Sequence, residues 1–160
     1  MLLLFRFLFT ILRSLVRRRI EPLGESVVRF TALPNDCDLN LHLNAGRFVS
    51  FMDIARVELI GRVGLLVPML RRGWRPVMGG ATVTYRRSIL PFERFTIRTR
   101  VAAWDEKWFY VAHTLLRHDG SVSATGIMRT AIRSKEGVVP PRDVLALIGA
   151  EHLQSPEVPA

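Results

Sequence analysis

An α+β fold, in which a curved antiparallel sheet wraps one long helix, is predicted by three observations. Phe48, Phe51, Met52, Ala55, Leu59 and Ile60 recur at i, i+3, i+4 and i+7 steps and give one apolar helical face. Residues 92–133 hold three successive strand-like segments separated by tight turns, which makes neighbouring strands antiparallel. Before the helix lies a polar, turn-rich segment, PNDCDLNLHLN, joined to it without a linker. A lone long helix beside such a sheet buries its apolar face best if the sheet curls around it.

The first sixteen residues, MLLLFRFLFTILRSLV, are apolar but too short for a clean membrane span. At 1.5 Å per residue they reach roughly 24 Å against a hydrocarbon core of about 30 Å. Arg6, Thr10, Arg13 and Arg17 fall on one stripe, which predicts an amphipathic helix lying in a membrane interface with its arginines toward anionic headgroups. A helix packed on the body of the protein or on a dimer partner is the alternative. No basic region precedes the apolar run and no small-residue cleavage site follows it, so a removed signal peptide is a minor reading.

After Glu21-Pro22-Leu23-Gly24, residues 26–33 alternate as a first strand ending at Pro34. The helix is expected from Asn44 or Ala45 to about Val63, where Gly61, Gly64 and Pro68 end it. Residues 65–75 read as a loop or short helix. Residues 77–85 form a second strand in which Gly79-Gly80 invites a bulge. Residues 92–104 and 108–117 are strands joined through Asp105-Glu106-Lys107. The Asp119-Gly120 turn leads into a last strand over 121–133. Pro140-Pro141 ends the core, with a short helix over 142–149. The chain thus divides into residues 1–20, an N-terminal helix; 24–138, the main domain; and 139–160, a short helix and tail.

A chain of 160 residues, 49% hydrophobic and 23% charged, is one globular domain with short additions. The net charge of +9 is weighted to Arg6, Arg13, Arg17, Arg18 and Arg19; subtracting those five leaves +4 on the body. Nucleic acid is the poorest reading, because the arginines are not interleaved with aromatics in a nucleic-acid motif. One cysteine excludes a disulfide framework, there is no metal-ligand spacing, and a reducing, cytoplasmic setting at a membrane face fits.

The segment before the helix concentrates the candidate chemistry. Between Asn35 and Asn44 it carries two carboxylates, three carboxamides, an imidazole and the only thiol, more than a helix cap requires. The first N–H groups of the helix, near Asn44, Ala45 and Gly46, and the positive end of its dipole form a place for a developing oxyanion. Asp38 or Asn40 as a turn cap, His42 as a structural histidine and Cys37 as a packed small side chain are the plainer readings. Asp53 with Arg56 and Glu58 with Arg62 have the spacing of surface ion pairs.

The stretch DCDLNLHLNAGRFVSFMDIARVEL resembles the first strand-loop-helix motif of hotdog thioesterases, of both the 4-hydroxybenzoyl-CoA and the fatty acyl-ACP types. LPFERFTIRTRVAAWDEKWFYV resembles the "thioesterase superfamily member 6"-like group, and the likeness covers about residues 25–135. It implies a hotdog fold, a homodimer or higher homo-oligomer, and hydrolysis of a fatty or aromatic acyl thioester without a cofactor, coenzyme A being part of the substrate. By position, Asp38 matches the catalytic carboxylate of the first type, and Asn40 and His42 match the Asn-x-His of the second. Asp38, Asn40 and His42 are therefore the expected catalytic residues. Asp38 would serve as nucleophile or general base, Asn40 would orient water or substrate, and His42 would move a proton. Asp53 stands as a reserve carboxylate. Arg86 and Arg87, or Arg71, Arg72 and Arg75, are candidates for the phosphates of coenzyme A. The family often has two asparagines where this chain has Asn44-Ala45, and a tyrosine where it has Phe48. A catalytically weak acyl-binding or membrane-associated hotdog protein is the alternative.

Overall fold

The computed structural model describes residues 1–157. Helix α1 (Leu2–Val16) precedes strand β1 (Ser26–Thr31), and a single 3-10 turn at Pro34–Asp36 opens the polar segment. Helix α2 (Ala45–Arg62) and the short α3 (Leu66–Arg71) follow. Then come β2 (Arg75–Tyr85), β3 (Arg94–Trp104), β4 (Phe109–Arg117), β5 (Val122–Arg133), the two-residue β6 (Val138–Val139) and α4 (Pro141–Ala146). The sheet order is β1-β3-β4-β5-β2, with β6 on β5, and every pairing is antiparallel. The expected bulge is present as a register shift between Met78 and Gly80.

Helix α2 lies against the concave face of this sheet. Phe51, Met52 and Ala55 have no measurable exposure and pack with Phe30, Phe95, Ile97 and Leu115. The aromatic rings of Phe30, Phe51 and Phe95 stand 4.9–5.7 Å apart in tilted and edge-on pairs, a favourable packing of ring quadrupoles. Gly126 of β5 permits this close approach, since a Cβ there would lie 2.9 Å from the Met52 sulfur. A second core cluster, around Leu59, Met69, Phe109 and Ile132, closes the far end of α2.

The N-terminal helix departs from the expected orientation. Most of its polar stripe faces inward and only Arg13 stays exposed: Arg6 bonds the buried Asp36 carboxylate at 2.7 Å, and Arg17 bonds the buried Glu58 at 2.7 Å. Thr10 and Ser14 are buried between them, and a Cβ on Gly61 of α2 would overlap Ser14. The same two guanidinium groups donate to the Thr31 and Val27 carbonyls, so α1 covers the free edge of β1. The physical reason is that two buried carboxylates on the body require cations, and α1 supplies them. Leu4, Phe5, Leu8, Phe9, Leu12 and Leu15 consequently point away from the body. No helix among the described residues is long and apolar enough to cross a membrane.

The pairs expected at the surface are also more buried than their spacing implied. Arg56 meets Asp53 at 2.9 Å and Glu58 meets Arg62 at 3.6 Å, but Arg56 is 6% and Glu58 1% exposed. Spacing reports which side chains are neighbours on a helix, not what covers them.

His113 sits in the core beneath α2, with Nδ1 3.0 Å from the Thr99 hydroxyl and Nε2 without a partner. Burial, and then the nearby Arg56 charge, lower its pKa to about 3. The imidazole is therefore neutral in the folded protein, whereas in the unfolded chain it titrates near ~6.5. Between those values only the unfolded chain takes up the proton. The stability that neutral His113 contributes is complete above about pH 6.5 and falls as the pH drops toward 3, by up to ~1.4 kcal/mol per unit. Urea unfolding at pH 7 and pH 4.5 should show this slope, and His113→Asn should flatten it. An unchanged slope in the variant would remove His113 from the acid sensitivity.

Candidate active site

The polar segment folds back on itself. Cys37 pairs with Leu43 in an antiparallel bridge, the Asp38 N–H donates to the His42 carbonyl at 2.8 Å, and the Leu41 N–H to the Asp38 carbonyl at 3.0 Å. Closing so short a loop places Leu41 at a φ of 56°, a left-handed conformation uncommon for leucine. The Leu43 N–H then donates to the Ile89 carbonyl and the Asn44 N–H to that of Asp36, which ties the loop to the segment after β2 and to the 3-10 turn.

The result is an open cleft of about 310 Å³ that brings Asp38 and His42 together with Ala45, Phe48, Tyr85, Arg86 and Arg87. Asp38 Oδ1 accepts the N–H groups of Asn40 at 2.9 Å and His42 at 3.4 Å, and Oδ2 has no protein partner among the described residues. Asn44 caps α2, its Oδ1 accepting the Gly46 N–H at 2.8 Å. Of the three expected oxyanion positions, the Asn44 N–H is thus held by the Asp36 carbonyl and the Gly46 N–H by the Asn44 side chain. The Ala45 N–H donates to no group among the described residues and sits on the cleft wall at the positive end of α2.

Not every candidate joins this group. Asn40 is exposed on the loop tip and touches Asp38 through its backbone N–H, outside the cleft wall. Asp53 lies two turns along α2, bound to Arg56. Arg72 stacks on Trp74 at 5.7 Å, and Arg75 lies at the end of β2 remote from the cleft. Cys37 contacts the Leu33 carbonyl at 3.6 Å. Burial, then Asp36 and Asp38, push its thiol pKa up, which disfavours the thiolate a nucleophile needs. Asp36 is occupied by Arg6, the Leu33 N–H and, at 3.8 Å, Arg47; it holds structure.

Tyr85 was not legible as a site residue. Its ring packs edge-on against Phe48 with centroids 5.2 Å apart, and its hydroxyl donates to the Ala45 carbonyl at 3.2 Å. A phenol therefore stands at the helix start although position 48 lacks one. The available sign was a hydroxyl-bearing aromatic at the end of a strand, directly before Arg86-Arg87.

A separate cavity between the C-terminal half of α2, β3–β5 and α4 is lined by Leu59, Met69, Trp104, Phe109 and Ile132. Among the described residues, no carboxylate, thiol or imidazole lines its wall.

Residues 32–156 match the family model described as the thioesterase-like superfamily. The chain is 33% identical over 150 residues to Protein THEM6 of Xenopus laevis, an alignment covering 90% of this chain and 70% of that protein. It is 32% identical over 114 residues to thioesterase poxG of Penicillium oxalicum, covering 62% of this chain but 37% of that larger protein. Among solved structures, the hypothetical protein SAV2348 of Staphylococcus aureus, described in complex with CoA, superimposes with a TM-score of 0.68. That match is 14% identical and covers 90% of this chain and 93% of SAV2348, a likeness of fold.

Proposed function

The chain belongs to the thioesterase-like superfamily, and from that premise we propose that it hydrolyses an acyl thioester to a free acid and a thiol, with acyl-coenzyme A favoured over acyl carrier protein. One observation carries the reading: the Asp38 carboxylate, His42 and the undonated Ala45 N–H share one cleft at the N-terminus of α2. Asp38 takes a proton from water as the water oxygen adds to the thioester carbon, or attacks that carbon itself to give an acyl-Asp38 anhydride that water hydrolyses once the thiol has left. Negative charge then gathers on the carbonyl oxygen, where the Ala45 N–H and the α2 dipole stabilise it. The C–S bond breaks, and the departing thiolate receives a proton, for which His42 is the imidazole on the cleft wall. Asn40 orients water only if the loop tip closes on bound substrate.

A second reading has its own support. With the Gly46 N–H engaged by Asn44, fewer oxyanion donors remain than the motif implies, as expected of a protein that binds acyl groups with little turnover. Assay of the purified chain against acyl-CoA esters of graded length and against an aromatic acyl-CoA separates the two. Turnover releasing free thiol supports the enzyme, and tight binding without thiol release supports the acyl-binding protein.

The working unit in this proposal is a homodimer. The β1 edge of the sheet is covered by α1, but the eleven-residue β2 leaves its outer edge open, with Val77 and Met78 exposed there.

The proposed setting is a membrane surface. Helix α1 turns Leu4, Phe5, Leu8, Phe9, Leu12 and Leu15 outward, and Arg13, Arg18 and Arg19 are exposed beside them. The contact is thus expected to be mainly apolar, because Arg6 and Arg17 are spent inside the protein. Phe5→Ser with Leu8→Ser and Leu12→Ser should abolish sedimentation with anionic vesicles while leaving the melting temperature within a few degrees. High salt should release the wild type only in part. Equal vesicle binding by the triple variant would overturn the membrane contact.

A further inference from the structure

Helix α1 and the free edge of β1 leave a groove of about 280 Å³ between them, with Arg6, Phe9, Arg13, Arg17, Arg29 and Glu58 on its walls. That is just below the ~300–1,000 Å³ of sites for drug-sized ligands, a size for a headgroup rather than a whole lipid. The charge around it is not balanced. Asp36 is shared by Arg6 at 2.7 Å and Arg47 at 3.8 Å, and Glu58 by Arg17 at 2.7 Å and Arg62 at 3.6 Å. Arg13 and Arg29 form no salt bridge among the described residues. Six arginines therefore stand against two carboxylates, and four positive charges are left over.

The strand edge adds a donor. The Ala32 N–H donates to the Glu93 carbonyl on the β3 side, whereas the Val27 and Thr31 carbonyls accept Arg17 and Arg6 of α1. Successive residues of a strand at the edge of a sheet alternate between a paired and an open side, so Arg29, midway between Val27 and Thr31, turns its N–H toward the groove. That N–H donates to no group among the described residues.

Hydrocarbon-binding surface begins at the rim. Phe9 lines the groove, is 56% exposed, and continues the outward stripe of Phe5 and Leu12 at steps of four and three residues. Arg13 lies one turn beyond Phe9. A ligand that is anionic at one end and apolar at the other would use both surfaces, and a free phosphate would leave the stripe unused.

We propose that the groove between α1 and β1 seats the phosphate headgroup of an anionic lipid, held by the Arg13 and Arg29 guanidinium groups and the Arg29 N–H. The proposal rests on the membrane contact of α1 and gives that contact a preferred lipid. Arginine forks match phosphate oxygens bidentately, and a terminal phosphate, carrying roughly −1.5 to −2 at pH 7, uses the excess cations better than a phosphodiester with one charge. Phosphatidate is thus expected to be chosen over phosphatidylglycerol.

Sedimentation of the full chain with phosphatidylcholine vesicles, carrying either phosphatidate or phosphatidylglycerol at matched surface charge, tests this. Half-maximal binding should need roughly tenfold less phosphatidate, the scale of one charge-assisted bond. Arg13→Gln with Arg29→Gln should erase that preference, with a melting temperature within a few degrees of wild type, because neither side chain carries a salt bridge. Arg13→Lys with Arg29→Lys keeps the charge but loses the fork, and should retain binding to phosphatidylglycerol while losing most of the preference. Equal binding of the two lipids by the wild type, or a preference that survives in the Gln variant, would overturn the headgroup site and leave the membrane contact standing. Binding to neither vesicle would overturn the membrane contact, and the site with it. Glycerol 3-phosphate, the headgroup without chains, should bind at least about a hundredfold more weakly than the vesicle-borne lipid. Comparable affinity would make a soluble phosphate the ligand and overturn the lipid assignment.

Discussion

Replacing Arg17 with methionine should lower the stability of the domain by about 3–5 kcal/mol, and replacing Arg6 as well should bring it close to unfolding. Glu58 is 1% exposed and is held by Arg17 at 2.7 Å and by the Ser26 hydroxyl, with Arg62 farther off at 3.6 Å. Asp36 is 2% exposed and depends on Arg6 in the same way. Removing either guanidinium leaves a buried carboxylate with only a more distant cation, Arg62 at 3.6 Å or Arg47 at 3.8 Å, in a place where water cannot solvate it, and that desolvation makes the loss large. Deletion of residues 1–20 should be equally damaging, because it removes both cations and uncovers the β1 edge. Urea unfolding of Arg17→Met beside Arg13→Met, whose arginine is exposed and without a salt bridge among the described residues, provides the check. A Glu58→Gln change added to Arg17→Met should recover part of the loss by removing the stranded charge. A deletion variant that melts with the full chain would show that α1 is a detachable arm.

Asp38→Asn should lower kcat by at least about a hundredfold with the fold intact, the scale of losing a general base or nucleophile. The fold is preserved because the carboxamide oxygen can still accept the Asn40 N–H that the carboxylate accepts at 2.9 Å. What disappears is the capacity to take a proton or attack the thioester carbon. His42→Ala should cost less, since water can protonate a departing thiolate. Cys37→Ser should cost little, given a thiol whose pKa is pushed up beside Asp36 and Asp38. Thiol release from an acyl-CoA, measured beside the near-ultraviolet circular dichroism of each variant, separates lost chemistry from lost structure. Full activity in Asp38→Asn would remove Asp38 from the mechanism.

Much of this site could be read in the chain because its chemistry is local. Asp38, His42 and Ala45 lie within eight residues, and a loop that short feeding a helix N-terminus must keep them together. Tyr85 and the Arg86-Arg87 pair reach the same cleft from forty residues away, through the pairing of β2 with β5. No spacing rule links them to Asp38. The engagement of the Gly46 N–H was equally hidden, since Asn44 as a cap is foreseeable but the donor it takes is a matter of geometry.

The long helix from Ala45, the antiparallel strands after it, the bulge at Gly79-Gly80 and the polar segment that carries Asp38 and His42 are all readable from the order of residues. Each follows from apolar period, turn chemistry or cap preference, which act over a few residues. Which way α1 faces is fixed by long-range packing instead. Its arginine stripe and its apolar stripe are both plain in the sequence, and either could have met the body of the protein. Asp36 and Glu58 settle the matter: they are buried where β1, the polar segment and α2 converge, and a buried carboxylate is tolerable only with a cation against it. Arg6 and Arg17 are therefore drawn inward, and the leucines and phenylalanines are left outside.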